Sequence, residues 1–180
     1  MSEPRYVMTV DTKRCVGCQA CVIACKTENR VPEHHFRDWI VEELAGESPA
    51  LRLELRSERC NHCTNPPCVD ACPTGASHVG IGGTVLVNYD KCTGCKACIS
   101  ACPYDSRFVH PKGYIDKCTF CLHRVTQGQK PACVSVCPTY ALTFGDRADP
   151  QSEASQNLAS RNHKRLHPET GCDPNLYFLV

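Results

Sequence analysis

The sequence has 180 residues, a formal net charge of +1 and 17 cysteines. Leucine, isoleucine, valine and phenylalanine together number only 36 residues, which is close to the limit below which a chain does not fold on its apolar residues alone. The nearly neutral charge, without a basic stripe carrying interleaved aromatic residues, argues against a nucleic-acid partner. No apolar run approaches the roughly 18 residues that cross a bilayer.

The first predicted elements bring the chain to a group of four cysteines. Residues 5–10, RYVMTV, are rich in β-formers and predict a strand. A turn that begins at Asp11 leads into the group. Because Lys26 rather than proline follows the last of these cysteines, we expect the next helix to run on through KTENR. The first group is Cys15, Cys18, Cys21 and Cys25.

Residues 26–50 form the largest insertion between cysteine groups. The stretch DWIVEELAG predicts a helix that ends at Gly46. His34 and His35 lie among proline and charged residues, and we interpret them as residues of a solvated loop. A metal site at this histidine pair is the alternative, but no further ligand cluster is left to complete it.

A strand is predicted before the second group, and a β-hairpin before the third. Residues 51–55 alternate leucine with arginine and glutamate, which is the period of a half-buried strand. The stretch SHVGIGGTVLVN holds two short β runs around a glycine turn. The second group is Cys60, Cys63, Cys68 and Cys72, followed by Pro73, and the third is Cys92, Cys95, Cys98 and Cys102, followed by Pro103.

The fourth group repeats this plan. SRFVHPKGYID predicts a strand, a turn and a strand, and ALTFG predicts a closing strand after the group. The long second gap of the group holds the loop LHRVTQGQKPA. The fourth group is Cys118, Cys121, Cys133 and Cys137, followed by Pro138.

Residues 146–180 contain no cysteine group and are predicted to form an extended C-terminal arm for contact with a partner. SEASQNLASRNHKRL is typical of one polar helix, and NLYFLV is a short apolar end. We expect this arm to lie on the surface of this protein or of a partner. Cys172 stands alone and is interpreted as a spare thiol rather than a ligand.

The spacing of the cysteines identifies their chemistry. The third group has the spacing C-x2-C-x2-C-x3-C-P, in which three cysteines bind one iron–sulfur cluster and the fourth binds the other cluster of a pair. A structural zinc site needs only four ligands and gains nothing from this arrangement. Disulfides are excluded because the count is odd and cysteines two residues apart rarely pair with each other. We therefore expect iron–sulfur clusters whose binding and the folding of the chain are one event.

The order of strand, cysteine loop, short helix and strand recurs four times, which is an internal repeat. Two such units with exchanged fourth cysteines make one ferredoxin domain. Four units therefore predict an α+β fold with two bacterial-ferredoxin-type domains and four clusters. The spacing alone leaves open whether the groups pair adjacently, crosswise or nested.

Two further features bear on the properties of the clusters. His62, inside the second group, is a candidate hydrogen-bond donor to a cluster, with a surface histidine as the alternative. A basic residue also precedes the first cysteine of every group. Such a cation offsets the negative charge of a cluster and raises its potential. The four basic residues are Arg14, Arg59, Lys91 and Lys117.

The flanks of the four groups carry more than the ligands. They are MTVDTKRCVGCQACVIACKTEN, ERCNHCTNPPCVDACPTGA, KCTGCKACISACPYDSR and KCTFCLHRVTQGQKPACVSVCPTYALTFGD. Over roughly residues 5–146 the chain resembles the four-cluster electron-transfer subunit of the dimethyl sulfoxide reductase superfamily. The resemblance is closest to the polysulfide, thiosulfate and tetrathionate reductase type or its nitrite and arsenate relatives. In that family the subunit sits between a molybdopterin catalytic subunit and a quinone-reactive membrane anchor or another carrier, so the resemblance implies these partners.

The resemblance also implies nested pairing within residues 1–145. Units 1–50 and 106–145 then form one ferredoxin domain, and residues 51–105 form the other. Some members of the family have tryptophan at the position of Cys98 and a 3Fe–4S cluster there, so the cysteine implies four 4Fe–4S clusters. The implied ligand sets are Cys15, Cys18, Cys21 and Cys137; Cys118, Cys121, Cys133 and Cys25; Cys60, Cys63, Cys68 and Cys102; and Cys92, Cys95, Cys98 and Cys72.

The implied function is electron transfer through the four clusters within a respiratory oxidoreductase. A compact chain of this length has a radius of gyration of about 16 Å, which places four centres on the order of 10 Å apart. A free, diffusible polyferredoxin is the alternative, although a diffusing carrier needs neither the arm nor the insertion at 26–50. A reductase acting alone is disfavoured, because all sixteen grouped cysteines are used as ligands and no open iron site remains.

The expected location follows from the partners. Residues 1–15 contain neither an apolar h-region nor twin arginines, which taken alone predicts a cytoplasmic protein. Export together with a partner that carries the signal is compatible with the same residues. The resemblance favours a protein that is membrane-associated through its partners, on the periplasmic face, with the cytoplasm as the alternative.

Overall fold

The computed structural model describes residues 3–180, so the first two residues of the first predicted unit lie outside the described part. Helices make up 22% and strands 24% of the chain, which confirms the predicted mixture of α and β structure. No helix within residues 3–180 is long and apolar enough to cross a membrane. The strands are β1 (Tyr6–Asp11), β2 (Asp38–Ala45), β3 (Arg52–Arg59), β4 (Ser77–Val79), β5 (Val85–Val87), β6 (Phe108–Val109), β7 (Ile115–Asp116), β8 (Leu142–Asp146), β9 (His163–Lys164) and β10 (Leu176–Leu179). The helices are α1 (Ala20–Asn29), α2 (Pro67–Asp70), α3 (Ala97–Ser100), α4 (Leu122–Val125), α5 (Ala132–Ser135) and α6 (Glu153–Ser160).

The largest sheet has four strands in the order β8-β1-β10-β9. The predicted strand β1 lies inside it, antiparallel to β8 and parallel to β10. Its apolar residues are covered on both faces: Val7 packs against α6, and Met8 and Val10 pack into the main apolar core. The sheet therefore carries the largest apolar core of the described chain on one side.

The C-terminal segment differs from the predicted arm. The polar helix is shorter than expected, because α6 ends at Ser160 and the chain then enters the short strand β9. The apolar end forms β10, whose residues are buried between β1 and β9; Leu176, Phe178 and Leu179 are fully buried. The apolar residues of NLYFLV thus complete the core of this protein.

The helix predicted for DWIVEELAG is wrong. These residues form β2, which pairs with β3 over eight residues. The β-branched Ile40 and Val41 favour the extended conformation, and a partner strand is available at once across the turn at Gly46, which has a φ of +92°. The predicted strand at residues 51–55 is confirmed as part of β3.

The short elements agree with the sequence. α1 runs on to Asn29, as expected from Lys26, whereas α2, α3 and α5 have four residues each and end before a Cys-Pro step. The residue before a proline is disfavoured in a helix, which explains these early ends. The predicted hairpins β4–β5 and β6–β7 and the predicted strand β8 are also confirmed.

Candidate iron–sulfur sites

Four sites, A to D, are defined by the cysteines that the structure brings together. Site A is a small cavity, and its walls include three cysteines of the first group and one of the fourth. The loop around it needs Gly17, whose φ of +66° is strained for other residues. The thiols of site A belong to Cys15, Cys18, Cys21 and Cys137.

Site B is built from the same two cysteine groups, with three thiols from the fourth group and one from the first. It is a small cavity under the main core, and Asn29 Nδ2 donates to Cys25 Sγ at 3.6 Å and to Cys121 Sγ at 3.7 Å. The side-chain amide thus joins thiols from two groups that are far apart in the sequence. The thiols of site B belong to Cys25, Cys118, Cys121 and Cys133.

Sites C and D are built in the same way from the second and third cysteine groups. Site D is a small cavity beside Ser77 and Ile115. At site C, burial raises the pKa of the Cys63 thiol, and the nearby thiols of the same site raise it further. The thiols of site C belong to Cys60, Cys63, Cys68 and Cys102, and those of site D to Cys72, Cys92, Cys95 and Cys98. The four groupings have the same members as the ligand sets that the family resemblance implies.

The sites follow one another in the order A, B, C, D. Cys21 of site A lies in one apolar cluster with Cys118 and Cys133 of site B and Cys60 of site C. Cys68 of site C and Cys98 of site D share a second cluster. The Cys60 thiol of site C also acts on the Cys118 thiol of site B, which places B and C beside each other as the inner sites. The exposed cysteines belong to the two outer sites, Cys18 to A and Cys95 to D.

The chemistry of the thiols fits a cluster at each site. Burial raises the pKa of the Cys118 thiol to about 12, in spite of the nearby Arg59 guanidinium, and the Cys60 thiol adds to the rise. Such thiols release their protons when iron binds, which couples metal binding to pH and to folding. Within residues 3–180 no three His, Cys, Asp or Glu side chains converge to hold a single metal ion; the thiols of sites A, B and D line small cavities instead.

Cys72 and Cys137 are held as thiolates more readily than an ordinary cysteine. Burial alone would raise their pKa values, but hydrogen-bond donors in the following turn lower both. The backbone N–H of Ser77 lies 3.3 Å from Cys72 Sγ. The hydroxyls of Thr74 and Thr139 lie 3.7 Å from the sulfurs of Cys72 and Cys137. Each Cys-Pro-Thr turn thus favours the thiolate form of its cysteine, which is the form that binds iron at an outer site.

The four cations that precede the cysteine groups fall into two classes. Arg59 and Lys117 are 1% exposed, whereas Arg14 and Lys91 are exposed. Arg59 precedes Cys60 of site C, yet its Nη1 donates to Cys133 Sγ of site B at 2.9 Å. The expected effect of these cations on the cluster potentials stays a prediction, and it should be smaller for the two side chains that lie in solvent, where salt screens their charge.

His62 is fully buried, so the surface alternative is wrong. Its ring stacks on Phe120 with centroids 3.7 Å apart, and its Nδ1 accepts from the Val85 N–H at 3.0 Å. Burial lowers the pKa of His62 well below its usual value, and the cations Lys117, Arg107 and Arg59 lower it further. The neutral ring carries its proton on Nε2, which has no acceptor within residues 3–180. The Nε2–H group of His62 is therefore a buried donor without a protein acceptor. Its expected hydrogen bond to a cluster stays a prediction.

Sequence reasoning missed several residues at the sites. Arg107 Nη2 donates to Cys68 Sγ at 2.8 Å, and Ser57 Oγ lies 3.4 Å from Cys21 Sγ. Neither residue stands at a fixed place in the cysteine spacing, so no sequence signal marks it. Cys172, the spare thiol, is buried in a small apolar cluster with Cys63. His34 is exposed, as expected for a loop, and its Nε2 lies 3.8 Å from Glu33 Oε1.

Comparison with known proteins identifies the class first. Models of the 4Fe–4S dicluster domain match residues 51–147 and residues 14–76. The chain therefore contains two 4Fe–4S dicluster ferredoxin-type domains and binds four 4Fe–4S clusters. When bound, such a cluster supplies a couple that takes up and releases one electron.

The relatives then identify the family. The protein is 44% identical over 179 residues to one of the chains of polysulfide reductase from Wolinella succinogenes, and the match covers 97% of this protein and 94% of the relative. It is 47% identical over 177 residues to protein NrfC of Escherichia coli K12, with 96% and 79% covered. It is 36% identical over 205 residues to a putative dimethyl sulfoxide reductase iron–sulfur subunit of Halobacterium salinarum, with 97% and 78% covered. The protein belongs to this family of iron–sulfur subunits of reductases, which confirms the resemblance found in the sequence.

Proposed function

We propose that the protein is the electron-transfer subunit of a respiratory oxidoreductase. It connects a molybdopterin catalytic subunit with a quinone-reactive membrane anchor or another carrier, and it has no substrate site of its own. The observation that carries this proposal is the linear order of the sites. The exposed thiols of Cys18 and Cys95 belong to the two outer sites, and every thiol of site B is buried. Such a series of sites has two ends at which electrons can enter and leave, and a middle closed to solvent.

The ligand sets of the four sites are part of the proposal. Each site draws three cysteines from one group and the fourth from another. The nested domains, units 1–50 and 106–145 against 51–105, follow from these sets. The pairing of β1 with β8 and the shared amide contact of Asn29 support the first domain. The proposed ligands of all four clusters are the sixteen grouped cysteines.

A fixed subunit is favoured over a free polyferredoxin by the surface beside site A. Val16, in the wall of this cavity, is 58% exposed. Tyr140 is 73% exposed and stands between two wall residues, Thr139 and Ala141. Large apolar side chains around an electron portal suit a partner that stays bound. We place the complex at the membrane through its partners, on the periplasmic face, by co-export with the catalytic subunit.

Metal content tests the cofactor assignment. Four clusters require sixteen iron atoms and sixteen acid-labile sulfides per chain, without zinc. Anaerobically purified protein should reach this ratio. A fully occupied protein with half of that iron would contradict the four sites.

Copurification tests the role as a subunit. A tagged form of this chain, expressed in its own host, should bring down a large molybdenum-containing protein in a fixed ratio. Isolation of the loaded chain by itself, with full activity as a donor to several unrelated enzymes, would favour the diffusible polyferredoxin. A twin-arginine signal on the copurified catalytic subunit would support the periplasmic location.

A further inference from the structure

Sites A and B are connected by a buried hydrogen-bonded path. Arg59 Nη1 donates to Cys133 Sγ of site B at 2.9 Å, and Arg59 Nη2 donates to Ser57 Oγ. Ser57 Oγ donates to Asp38 Oδ1 at 2.7 Å and lies 3.4 Å from Cys21 Sγ of site A. One arginine and one serine thus join a thiol of each site.

Sites C and D are connected by a second path of the same composition. Arg107 Nη2 donates to Cys68 Sγ of site C at 2.8 Å and to Ser77 Oγ at 3.0 Å. The backbone N–H of Ser77 donates to Cys72 Sγ of site D at 3.3 Å. Arg107 is 5% exposed. The two paths come from unrelated positions in the repeat, since Arg59 ends β3 and Arg107 precedes β6.

The two arginines differ in how their charge is balanced. Arg59 Nη2 lies 3.2 Å from the Asp38 carboxylate, and both side chains are at most 2% exposed. Within residues 3–180, the only acceptors of Arg107 are Cys68 Sγ and Ser77 Oγ, and its Nε and Nη1 have no partner. The A–B path therefore contains a nearly neutral ion pair, and the C–D path contains an uncompensated cation.

A buried charge of this kind acts directly on a redox centre. A cluster becomes more negative when it gains an electron, so a nearby positive charge stabilises the reduced form and raises the potential. Charge-assisted N–H···S bonds act in the same direction. Salt screens buried charges much less than exposed ones, so the effect persists at physiological ionic strength.

We propose that Arg107 raises the potentials of the clusters at sites C and D, whereas Asp38 cancels the charge that Arg59 places beside site B. The proposal rests on the proposed function, because it assigns an energetic direction to the series of clusters. The electron gained is the only particle transferred, and the guanidinium keeps its proton throughout. Arg107 and the Arg59–Asp38 pair are therefore potential-setting residues that contact cluster ligands.

Redox titration of the holoprotein, monitored by electron paramagnetic resonance, tests this proposal. Arg107→Met removes the charge and keeps most of the side-chain length, and we expect the midpoint potentials at sites C and D to fall. Arg107→Lys keeps the charge and should restore most of the shift. The comparison is the double variant Arg59→Met with Asp38→Asn, which removes a buried ion pair and one N–H···S bond to Cys133 without changing net charge; it should shift the potential at site B less than Arg107→Met shifts those at C and D. A second control, Arg14→Met, removes an exposed cation and should give a smaller shift that vanishes at high salt.

A separate variant keeps the test decisive if Arg107→Met loses a cluster. Asp38→Asn removes the counter-charge of Arg59 and should raise the potential at site B. Absence of a shift in Arg107→Met at full iron content would overturn the proposal. Loss of a cluster in that variant together with an unshifted Asp38→Asn would overturn it as well. Failure of the proposed function is a different result, visible as fewer than sixteen iron atoms in the unmodified protein.

Discussion

The two pairs of sites follow one plan but are supported by very different amounts of protein. Sites A and B lie under the four-stranded sheet, whose core includes the fully buried Met8, Leu176 and Phe178. Site C borders that core through Cys60, but the cluster that holds Cys68 of site C and Cys98 of site D has just two buried aliphatic residues among those described, Val85 and Ile115, on two short hairpins. A cluster site therefore needs little apolar core of its own, because the metal bonds supply much of the folding free energy.

Removal of iron should produce the largest difference between the two pairs of sites. We expect chelation under denaturant-free conditions to unfold the region of sites C and D completely, since few apolar contacts remain there. The amides of β1 and β10 should keep part of their protection, because their side chains form the main core. Hydrogen exchange of the chelated protein measures both regions. Equal loss of protection in the two regions would show that the sheet does not stabilise its half independently.

Loss of one exchanged cysteine should be the next largest effect. Cys25→Ala removes a thiol of site B, and Cys102→Ala removes a thiol of site C. The first substitution should convert the cluster at Cys118, Cys121 and Cys133 to a 3Fe–4S centre or eliminate it, and leave sites C and D intact. The second should do the same to the cluster at site C and leave site A intact.

The two cysteine variants also distinguish the possible pairings. Spectra of each cluster must first be assigned with one further substitution in every cysteine group. Damage by Cys25→Ala at the cluster of Cys15, Cys18 and Cys21 would mean that each group holds its own cluster. Damage confined to the cluster of Cys60 would mean that adjacent groups pair.

Substitutions in the apolar cores should destabilise the two halves one at a time, with smaller effects. Phe178→Ala opens a cavity in the core under the sheet and should cost about 3–5 kcal/mol, and Ile115→Ala, in the other half, should cost about 2–5 kcal/mol. The order in which cluster signals disappear on heating measures the outcome. Phe178→Ala should release the clusters of A and B first, and Ile115→Ala those of C and D. The same order of release in both variants would argue against two separately supported halves.

The smallest expected effects come from the matched hydroxyls of the two Cys-Pro-Thr turns. Thr74→Val and Thr139→Val each remove a weak hydrogen bond to a thiolate, worth about 0.5 kcal/mol, or roughly 20 mV for one electron. The potentials at sites D and A should therefore fall by similar small amounts. A large fall at only one of the two sites would show that these turns are not equivalent.

The cysteine spacing predicted the class of cofactor and most of the short elements, because metal-ligand geometry is local in the sequence. It could not distinguish Arg59 from Arg14, although both precede a first cysteine. Their burial depends on whether the unit packs inside the series of sites or at its end, and that is a property of the tertiary fold. Arg107 and Asp38 are likewise found only when distant segments are brought together.

Two errors in the predicted elements have a shared physical cause. Neither segment shows its partner strand in the local sequence. Local propensity therefore predicts a helix for DWIVEELAG and a surface arm for NLYFLV. β2 is stabilised by eight residues of pairing with β3, and β10 by pairing with β1, which is more than 160 residues away in the sequence. Tertiary pairing thus decided the conformation where local propensity was weak.

The late position of β10 and of the fourth cysteine group affects how the protein is made. Synthesis from the N-terminus supplies every thiol of sites C and D once residue 102 has been added. Cys15, Cys18 and Cys21 must wait until Cys137 exists, and the sheet that covers them waits for residues 176–179. With the proposed ligand sets, the nascent chain therefore carries the four thiols of its first group without their partners until the fourth group has been added, during which they are open to oxidation or to capture of a wrong metal.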